Sequence, residues 1–380
     1  MKFISLNQFL NLYKDSPADK QTLIQFINSS EVVVGNKKHK LSDYMERKKI
    51  SRSFIEELFS NIKNRNKYLT GFYNLSLRVS EQHQHIHTAI KPMLKSHMDN
   101  NNGIIFKNMI RNLHMMDILK NTSSGLENTP TFLVMLNNLY RNNIIDYKIL
   151  TPSALDYMHK GRLGSVFSSF YFRASIMNPY LVYSLNMKVL KGTKIFTPTL
   201  GWSSYAFGFL ECPDVIEYVG TDVIKSVCNT TDQLCSNYEQ KHDIYCCPSE
   251  DLLTDKKFIK KYREHFDVVF FSPPYYRLEL YKSENQSTSR YKDYKDWLEK
   301  YWEATIKLCH TVLENKGKLC YILSGYGSQN TNNEYDLLDD MNKITAKYFK
   351  SSGKQPMHNK NVHSTKHRET GEQIMYFVKK

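Results

Sequence analysis

The segment from residue 268 to residue 276 carries residue types that could hold an amino group. An apolar run, Val268-Val269-Phe270-Phe271, leads directly into Ser272-Pro273-Pro274-Tyr275. Two consecutive prolines fix φ and donate no N–H, so we expect the chain to leave the strand stiff and extended. The Ser272 hydroxyl and the Pro273 carbonyl can each accept an N–H of an NH2 group, and the Tyr275 ring can stack on a flat base. The sequence therefore predicts chemistry at an exocyclic amine of a nucleic-acid base.

The elements that must position this segment begin near residue 190. Short apolar runs there alternate with helical stretches, which is typical of an α/β domain with a doubly wound, mostly parallel sheet. Ligands of such sheets bind at the carboxyl ends of the strands, where the segment described above lies. The predicted strands cover residues 194–197, 215–220, 243–247, 268–272, 318–323 and 373–378, and the predicted helices cover 223–238, 255–265 and 294–314.

The preceding part of the chain has a different pattern. Residues 54–62, 113–119 and 132–139 carry apolar side chains at helical spacing. We therefore expect two domains: residues 1–150, mainly helical and suited to target recognition or partner docking, and residues 151–380, which hold the α/β sheet.

The Ser-Pro-Pro-Tyr segment resembles the fourth motif of the amino-group methyltransferases of nucleic acids, which reads Asp/Asn/Ser-Pro-Pro-Tyr/Phe/Trp. The resemblance covers roughly residues 165–325, and the order of the motifs agrees. It implies a Rossmann-like class I methyltransferase sheet, S-adenosyl-L-methionine as cofactor, and direct methyl transfer to cytosine N4 or adenine N6 of DNA. Residues 277–281 and 284–291 are also similar to some viral and phage-type DNA methylases, through a Glu-x-Tyr at 279–281 and a Gln-Ser at 286–287. The catalytic residues that the resemblance implies are Ser272, Pro273, Pro274 and Tyr275.

The resemblance also implies a set of cofactor-binding residues. The family's first motif matches residues 195–204, with Thr197 at a usually acidic position and Ser203 at a usual glycine. Asp222 matches the acidic residue that holds the cofactor ribose, since a carboxylate can accept from two hydroxyls. Residues 172–179 match a motif at the methionine end of the cofactor, and residues 247–252 match one near its adenine. The implied cofactor-binding residues are Thr197, Pro198, Thr199, Gly201, Trp202, Asp222, Ser249 and Glu250.

The charge of the chain bears on its partner. Lys and Arg number 52 against 38 Asp and Glu, a net charge of +14 in 380 residues. Such an excess favours a polyanion, and nucleic acid is the commonest one. The resemblance narrows this to double-stranded DNA, whose target base would have to be flipped out. The segment 351–368 is basic and is expected to be a loop that either neutralises phosphates or is simply solvated. The candidate nucleic-acid-binding residues are Arg277, Arg290, Lys354, Lys360, Lys366 and Arg368.

Several other chemistries are disfavoured. Carbon-5 cytosine methylation needs a Cys nucleophile in the order Pro-Cys, whereas this chain has Cys247-Pro248. The His-x-Glu and Pro-Cys-x-x-Cys pattern of zinc deaminases and the P-loop are absent from the sequence. His83, His85 and His87 alternate, but no Cys or acidic partner lies at ligand spacing, so we expect no metal site. Trp297 and Trp302 are expected in the core.

Several alternatives stay open. Ser at the first motif position is commoner among cytosine-N4 enzymes, but it can also accept from an adenine amine, so cytosine is preferred only slightly. The chain could also act on RNA, or be a non-catalytic nucleic-acid-binding or scaffold protein with a decayed methyltransferase fold. Without a signal-peptide-like start or an apolar run of about 20 residues, we expect a soluble protein of the cytoplasm or nucleus. The oligomeric state is left open.

Overall fold

The computed structural model describes residues 2–80, 85–125, 129–160, 162, 173–325, 335–358 and 371–380. The chain forms two compact units. The sheet unit comprises Ser80–Ile110 and Ser175–Lys380, and the helical unit comprises Lys2–Val79 and Arg111–Ala174. The expected boundary near residue 150 does not coincide with this division, because residues 80–110 pack with the sheet unit and the helical unit continues to Ala174.

A seven-stranded sheet forms the centre of the sheet unit. Its order is β3-β2-β1-β4-β5-β7-β6; the first five strands of this row are parallel, whereas β7 runs antiparallel to both β5 and β6. This is the doubly wound order of a Rossmann-like sheet, extended by an antiparallel strand pair, and it confirms the expected fold class. The strands are β1 Lys194–Thr197, β2 Glu217–Asp222, β3 Lys241–Cys246, β4 Phe266–Phe271, β5 Leu313–Leu323, β6 Phe349–Pro356 and β7 Gln373–Lys379.

Most helices of the sheet unit lie in the connections between these strands. The Asp255 carboxylate caps one of them by accepting from the N–H groups of Lys257 and Phe258 at 2.8 and 3.0 Å. The helices of the sheet unit are α1 Pro179–Leu185, α2 Ser204–Leu210, α3 Lys225–Cys235, α4 Ser249–Leu252, α5 Lys256–Tyr262, α6 Ser287–Arg290, α7 Tyr294–Asp296, α8 Ala304–Val312 and α9 Leu337–Tyr348. Two π-type turns cover Asn186–Leu190 and Trp297–Glu303, and a short helix, Ile86–Ala89, precedes α1.

The core of the sheet unit includes two tryptophans that follow the Ser272 segment. Trp297 and Trp302 are fully buried, which confirms their expected role in the core. Their indole N–H groups donate to Ser287 Oγ at 3.0 Å and to the Met341 carbonyl at 2.9 Å. Both rings are therefore satisfied as well as buried, and they anchor the segment that follows the Ser272 region.

The C-terminal edge of the sheet differs from the expectation. The basic segment that begins at residue 351 was predicted to be a loop, yet β6 covers Phe349–Pro356 and pairs antiparallel with β7. The prediction was wrong because this edge strand has no apolar alternation; most of its side chains are exposed, and backbone hydrogen bonds to β7 define it. Lys354 is exposed on this strand. Lys360, Lys366 and Arg368 lie outside the described residues.

The helical unit is not wholly helical. A small sheet pairs Glu31–Val34 antiparallel with Lys37–Lys40 and parallel with Ile144–Asp146. These strands were not predicted, because each has only three or four residues. The helices are Leu6–Asn11, Leu23–Ser29, Leu41–Lys48, Arg52–Lys63, Arg65–Ser76, Phe132–Arg141 and Pro152–His159, and the helix Ile104–Leu113 spans the point where the chain passes from one unit to the other. Across the described ranges, none of the helices has the length and apolar character needed to cross a membrane.

Candidate active site

Ser272 lies at the carboxyl end of β4, where both its side chain and its backbone are held. Its Oγ donates to the Ile322 carbonyl oxygen on β5 at 3.2 Å, and its backbone N–H donates to the Tyr205 hydroxyl oxygen at 3.1 Å. A serine hydroxyl has one proton and two lone pairs. Because the proton is directed to Ile322, the oxygen presents lone pairs to an incoming group. Pro273 is buried and Pro274 is half-buried beside it.

Tyr275 follows the two prolines and is half-buried. Burial and the nearby Glu372 carboxylate raise the pKa of its hydroxyl, although hydrogen bonding with Ser324 opposes the shift. The phenol is therefore neutral at physiological pH. Its hydroxyl oxygen is inaccessible to solvent, so the ring, and not the hydroxyl, is the part of Tyr275 that could meet a ligand.

Tyr205, on α2, joins the Ser272 segment to the turn after β1. Burial raises the pKa of its hydroxyl, with hydrogen bonds from the Ser272 N–H and from Thr199 opposing the shift in part. The buried phenol thus stays neutral and accepts from Ser272. A Cβ added to Gly201 would lie 2.3 Å from the Tyr205 ring. Gly201 is therefore needed where the turn passes over this ring.

The turn after β1 keeps a glycine-like backbone despite its unusual sequence. Gly201, Trp202 and Ser203 have φ of +52°, +59° and +65°, all in the left-handed region that glycine adopts most easily. Ser203 replaces a usual glycine of the resembled family, and its Oγ lies 2.7 Å from Thr231 Oγ1 in the core. The substitution thus preserves the conformation and adds a buried hydrogen bond.

Thr197 fills the position at which the resembled family has an acid. It is fully buried at the end of β1, and its Oγ1 lies 2.6 Å from Tyr218 Oη on β2. A neutral hydroxyl pair thus replaces a buried carboxylate and satisfies both groups. The Thr197 side chain is occupied by the core. The predicted cofactor contact of Thr197 therefore cannot come from this hydroxyl while it is paired with Tyr218, which leaves its backbone for that role.

Asp222 ends β2 and ties the neighbouring loops together. Its Oδ2 accepts from the Leu200 N–H at 3.1 Å, and its Oδ1 accepts from the N–H groups of Val223 and Ile224 at 2.8 and 3.1 Å. The Ser283 hydroxyl donates to the Val223 carbonyl at 3.0 Å. The carboxylate is half-buried and directed at the turn after β1, so the structure brings together the two predicted parts of the cofactor site.

Ser249 and Glu250 begin α4, directly after the carboxyl end of β3. Ser249 Oγ lies 3.2 Å from Thr305 Oγ1, and Glu250 Oε1 lies 2.7 Å from an Arg290 guanidinium nitrogen. The other terminal nitrogen of Arg290 lies 2.8 Å from Asp251 Oδ1. Burial raises the pKa of Glu250 to about 7, against the favourable charge of Arg290. Arg290, predicted to bind nucleic acid, thus has two carboxylate partners within the fold.

The segment after Tyr275 contacts the turn through a cluster in which only Trp202 was selected from the sequence as a site residue. The Trp202 indole N–H donates to the Ser175 carbonyl at 3.0 Å, and the Ser175 N–H donates to Glu279 Oε1 at 2.9 Å. The Tyr281 hydroxyl donates to Glu279 Oε2 at 2.8 Å, and its ring packs edge-on to Trp202. Burial raises the pKa of Glu279. The Glu-x-Tyr spacing was noticed in the sequence, but its partners are distant along the chain.

Two other predicted nucleic-acid-binding residues, Arg277 and Lys354, lie in different parts of the sheet unit. Arg277 is exposed; it donates to the Lys292 carbonyl at 3.2 Å and lies over the Tyr276 ring. It lies two residues beyond Tyr275 and is the predicted phosphate contact nearest to the Ser272 segment in sequence. Lys354 lies on β6, three strands away from β4 in the sheet. The structure therefore does not gather these two cations at one place.

Comparisons with known proteins concern the fold. No family model and no curated protein sequence match this chain. Among solved structures, it is similar to the N-methyltransferase NodS from Bradyrhizobium japonicum in complex with S-adenosyl-L-homocysteine, with 12% identity over 52% of this chain and 83% of that one, and a TM-score of 0.35. TrmN from Thermus thermophilus shares 11% identity over 53% of this chain and 49% of its own, with a TM-score of 0.35.

A third similar structure is the [4+2]-cyclase SpnF, with 10% identity over 54% of this chain and 83% of its own, and a TM-score of 0.37. What the strand order of this chain establishes by itself is its architecture: the sheet unit has a Rossmann-like α/β fold.

Proposed function

We propose that the sheet unit is an S-adenosylmethionine-dependent methyltransferase that methylates an exocyclic amino group of a base in DNA. The observation that carries this proposal is the hydrogen bond from Ser272 Oγ to the Ile322 carbonyl. It turns the first residue of Ser-Pro-Pro-Tyr into a fixed acceptor at the carboxyl end of a central strand. Ligands of doubly wound sheets bind at this edge.

The residues around the turn after β1 fit the cofactor. The Asp222 carboxylate points at this turn and can accept from ribose hydroxyls in addition to its backbone donors. Ser204 Oγ, at the start of α2, is buried without a hydrogen-bond partner among the described residues. Such an orphaned hydroxyl is expected where a polar ligand completes a site. The residues proposed to hold the cofactor are Pro198, Thr199, Gly201, Trp202, Asp222, Ser249 and Glu250, together with the backbone of Thr197.

The side chains of the Ser272 segment would act on the amine. When bound, S-adenosylmethionine supplies an electrophilic methyl group, so that the C–N bond forms as the C–S bond breaks and the amine releases one proton to water. The lone pair of a base amine is delocalised into the ring. Hydrogen bonds from its two N–H groups to Ser272 Oγ and to the Pro273 carbonyl favour a more tetrahedral nitrogen, whose lone pair is available. Orientation of this kind can lower a barrier by several kcal/mol, up to roughly 7–11 kcal/mol in ideal cases.

The proposed substrate is double-stranded DNA. A base within a duplex cannot reach the strand ends, so the target would be extruded and would stack on the Tyr275 ring. The net charge of +14 supports a polyanionic partner. Cytosine N4 is slightly preferred over adenine N6 from the serine at the first motif position, and RNA is the alternative nucleic acid.

One observation favours a second candidate, a nucleic-acid-binding protein with a decayed methyltransferase fold. The acid expected at the end of β1 is replaced by Thr197, whose hydroxyl is used by Tyr218. If that acid is needed for cofactor binding, the turn after β1 would keep its conformation but would no longer bind S-adenosylmethionine. Binding of S-adenosylmethionine, measured by calorimetry, separates the two candidates, because only the enzyme requires it.

The proposal is tested by incubating the protein with S-adenosylmethionine and either duplex DNA or RNA, and by mass spectrometry of the nucleosides. N4-methylcytosine or N6-methyladenine in DNA is the expected product, and the same bases in RNA would support the chemistry with the other nucleic acid. If the protein binds no S-adenosylmethionine at millimolar concentration, the enzyme proposal fails and the second candidate is favoured.

A further inference from the structure

His85, His87 and Glu211 form a cluster in the sheet unit that takes no part in the proposed methyl transfer. His85 Nδ1 lies 3.0 Å from Glu211 Oε1, and His87 Nδ1 lies 2.5 Å from Glu211 Oε2. The two imidazoles therefore face the two oxygens of one carboxylate. The ligand atoms of all three residues lie within 4.8 Å of one another.

The spacing of the two histidines explains how they converge. His85 has extended backbone directly before the helix Ile86–Ala89, His87 lies in the first turn of that helix, and the His87 backbone N–H also donates to Glu211 Oε2, at 3.1 Å. Glu211 lies more than 120 residues further along the chain, directly after α2. No acidic partner was visible near the histidines in the sequence, and the fold supplies one.

The geometry resembles that of a metal site. Zinc binds imidazole nitrogen at about 2.0–2.1 Å and carboxylate oxygen at about 2.0–2.2 Å. Two such ligand atoms on one ion are separated by roughly 3–3.5 Å, so the observed nitrogen–oxygen distances would have to open by less than about 1 Å. To bind the ion, each Nδ1 would have to present its lone pair, so that the neutral imidazole carries its proton on Nε2 instead.

The burial of the three residues also suits an ion. The Glu211 side chain is fully buried, whereas the His85 and His87 side chains are 55% and 48% exposed, so an ion could enter from solvent. The Tyr238 hydroxyl donates to Glu211 Oε1 at 2.6 Å and orients the carboxylate from behind, as partners of metal ligands commonly do. Burial alone would raise the pKa of Glu211, but the hydrogen bonds from Tyr238, His87 and His85 outweigh it and lower the pKa, so the carboxylate is ionised.

We propose that His85, His87 and Glu211 bind a divalent transition-metal ion, with zinc as the ion of choice. Two imidazoles and a carboxylate are ligands that suit zinc and its neighbours, whereas magnesium and calcium prefer sets made of oxygen alone. Water completes the coordination on the exposed side. The ion fastens residues 85–89 to the end of α2, the helix whose first turn carries Tyr205, and so has a structural role. This inference is independent of the proposed methyl transfer.

The test is direct metal binding by the full chain, stripped with chelator and freed of any affinity tag. Titration with Zn²⁺ by calorimetry is expected to give one equivalent bound, and Co²⁺ is expected to give the visible absorption of a low-coordinate site. Zn²⁺ is also expected to raise the Tm of the wild-type protein, and EDTA to reverse the rise. Mg²⁺ should neither bind stoichiometrically nor raise the Tm.

Matched variants separate the site from adventitious binding. His85→Ala and His87→Ala, both at exposed side chains, should each weaken Zn²⁺ binding at least tenfold and abolish the rise in Tm. His242→Ala removes another histidine that faces a carboxylate, with its Nε2 3.5 Å from Asp232, and should bind like the wild type. The proposal is overturned if the wild type binds no stoichiometric Zn²⁺, or if the His85 and His87 variants bind as well as the His242 variant. These readouts do not depend on methylation, so they remain informative even if the proposed function is wrong.

Discussion

The hydroxyl of Ser272 donates to the carbonyl oxygen of Ile322, across the neighbouring strands β4 and β5, at 3.2 Å. This contact decides which way the serine proton points. A serine free to rotate could offer a donor or an acceptor to an amine, whereas this one offers lone pairs. The contact therefore links a sequence motif to a direction of hydrogen bonding, and that direction can be tested.

Ser272→Ala should lower kcat for methylation without weakening cofactor binding. The variant loses one of two acceptors for the amine, which we expect to reduce kcat about 10- to 100-fold, or roughly 1.4–2.8 kcal/mol. Ser236→Ala is a matched control, because its hydroxyl also donates to a backbone carbonyl, that of Asp232 at 2.9 Å, on an exposed helix end. Equal rates for the two variants and the wild type would remove Ser272 from the mechanism.

Tyr275→Ala and Tyr275→Phe should differ sharply. The Tyr275 hydroxyl is buried near Ser324 and the ring is the part that could stack on a base. Loss of stacking is worth roughly 1–3 kcal/mol per base, so Tyr275→Ala should reduce kcat/KM by about tenfold or more. The kcat/KM of Tyr275→Phe should stay within a few-fold of the wild-type value. A decrease in kcat/KM as large as that of the alanine variant would show that the hydroxyl, and not the ring, is needed.

Asp222→Asn should weaken binding of S-adenosylmethionine. Hydrogen bonds to a charged acceptor are worth roughly 1.5–3 kcal/mol, so we expect a loss of affinity of about tenfold or more by calorimetry. The amide oxygen can replace only one of the two carboxylate oxygens, so either the Leu200 N–H or the N–H groups of Val223 and Ile224 lose their acceptor, and urea unfolding measures the resulting loss of stability separately. Asp232→Asn, at a surface carboxylate beside His242, is the control and should bind normally. Unchanged affinity in Asp222→Asn would argue against the proposed ribose contact.

Gly201→Ala and Gly35→Ala form a pair that separates backbone strain from steric collision. Gly201 and Gly35 have φ of +52° and +60°, but an added Cβ meets the Tyr205 ring at 2.3 Å in the first case and nothing within 4 Å in the second. Left-handed backbone costs an L-residue roughly 1–2 kcal/mol, so Gly35→Ala should lose about that much.

Gly201→Ala should lose clearly more stability, because Tyr205 must move, and should also lose affinity for S-adenosylmethionine. Urea unfolding and calorimetry measure the two effects. Similar losses of stability in the two variants would indicate that the turn and the Tyr205 ring can move apart at little cost in free energy.

Glu250→Gln should change how stability depends on pH. The pKa of Glu250 is about 7 in the folded chain against an ordinary value of 4.5. Between these values the unfolded chain releases the proton while the folded chain keeps it, so the free energy of unfolding falls as pH rises through this window. The glutamine variant lacks this fall, and its stability relative to the wild type should increase by about 1–3 kcal/mol between pH 4.5 and pH 7.5.

Urea unfolding at several pH values measures this trend. Asp251→Asn removes the more exposed carboxylate partner of Arg290, and its stability relative to the wild type should not show the same rise with pH. A constant difference between wild type and Glu250→Gln across the window would mean that Glu250 titrates normally in the folded chain.

Much of the sheet could be predicted from local pattern. β1 matches its predicted range, and the other apolar strands lie within a few residues of theirs, because buried parallel strands read as continuous apolar runs. The polar edge strand β6 was missed, since it is formed by backbone pairing that leaves no pattern of burial. The strand Glu31–Val34 was missed because it has only four residues, although one of its partners, Lys37–Lys40, follows almost directly in the sequence.

The sequence by itself determined the order of the elements and the identity of the segment that could hold an amine, because a strand followed by Ser-Pro-Pro-Tyr is a local feature. Only the tertiary structure decided that Ile322 orients the Ser272 hydroxyl, that Tyr218 satisfies Thr197, that Arg290 is paired with Glu250 and Asp251, and that Glu211 meets His85 and His87. Each of these partners is separated by 20 or more residues along the chain. They come together because the crossovers of the sheet bring distant strand ends and helix ends to the same place, a convergence that no local spacing encodes.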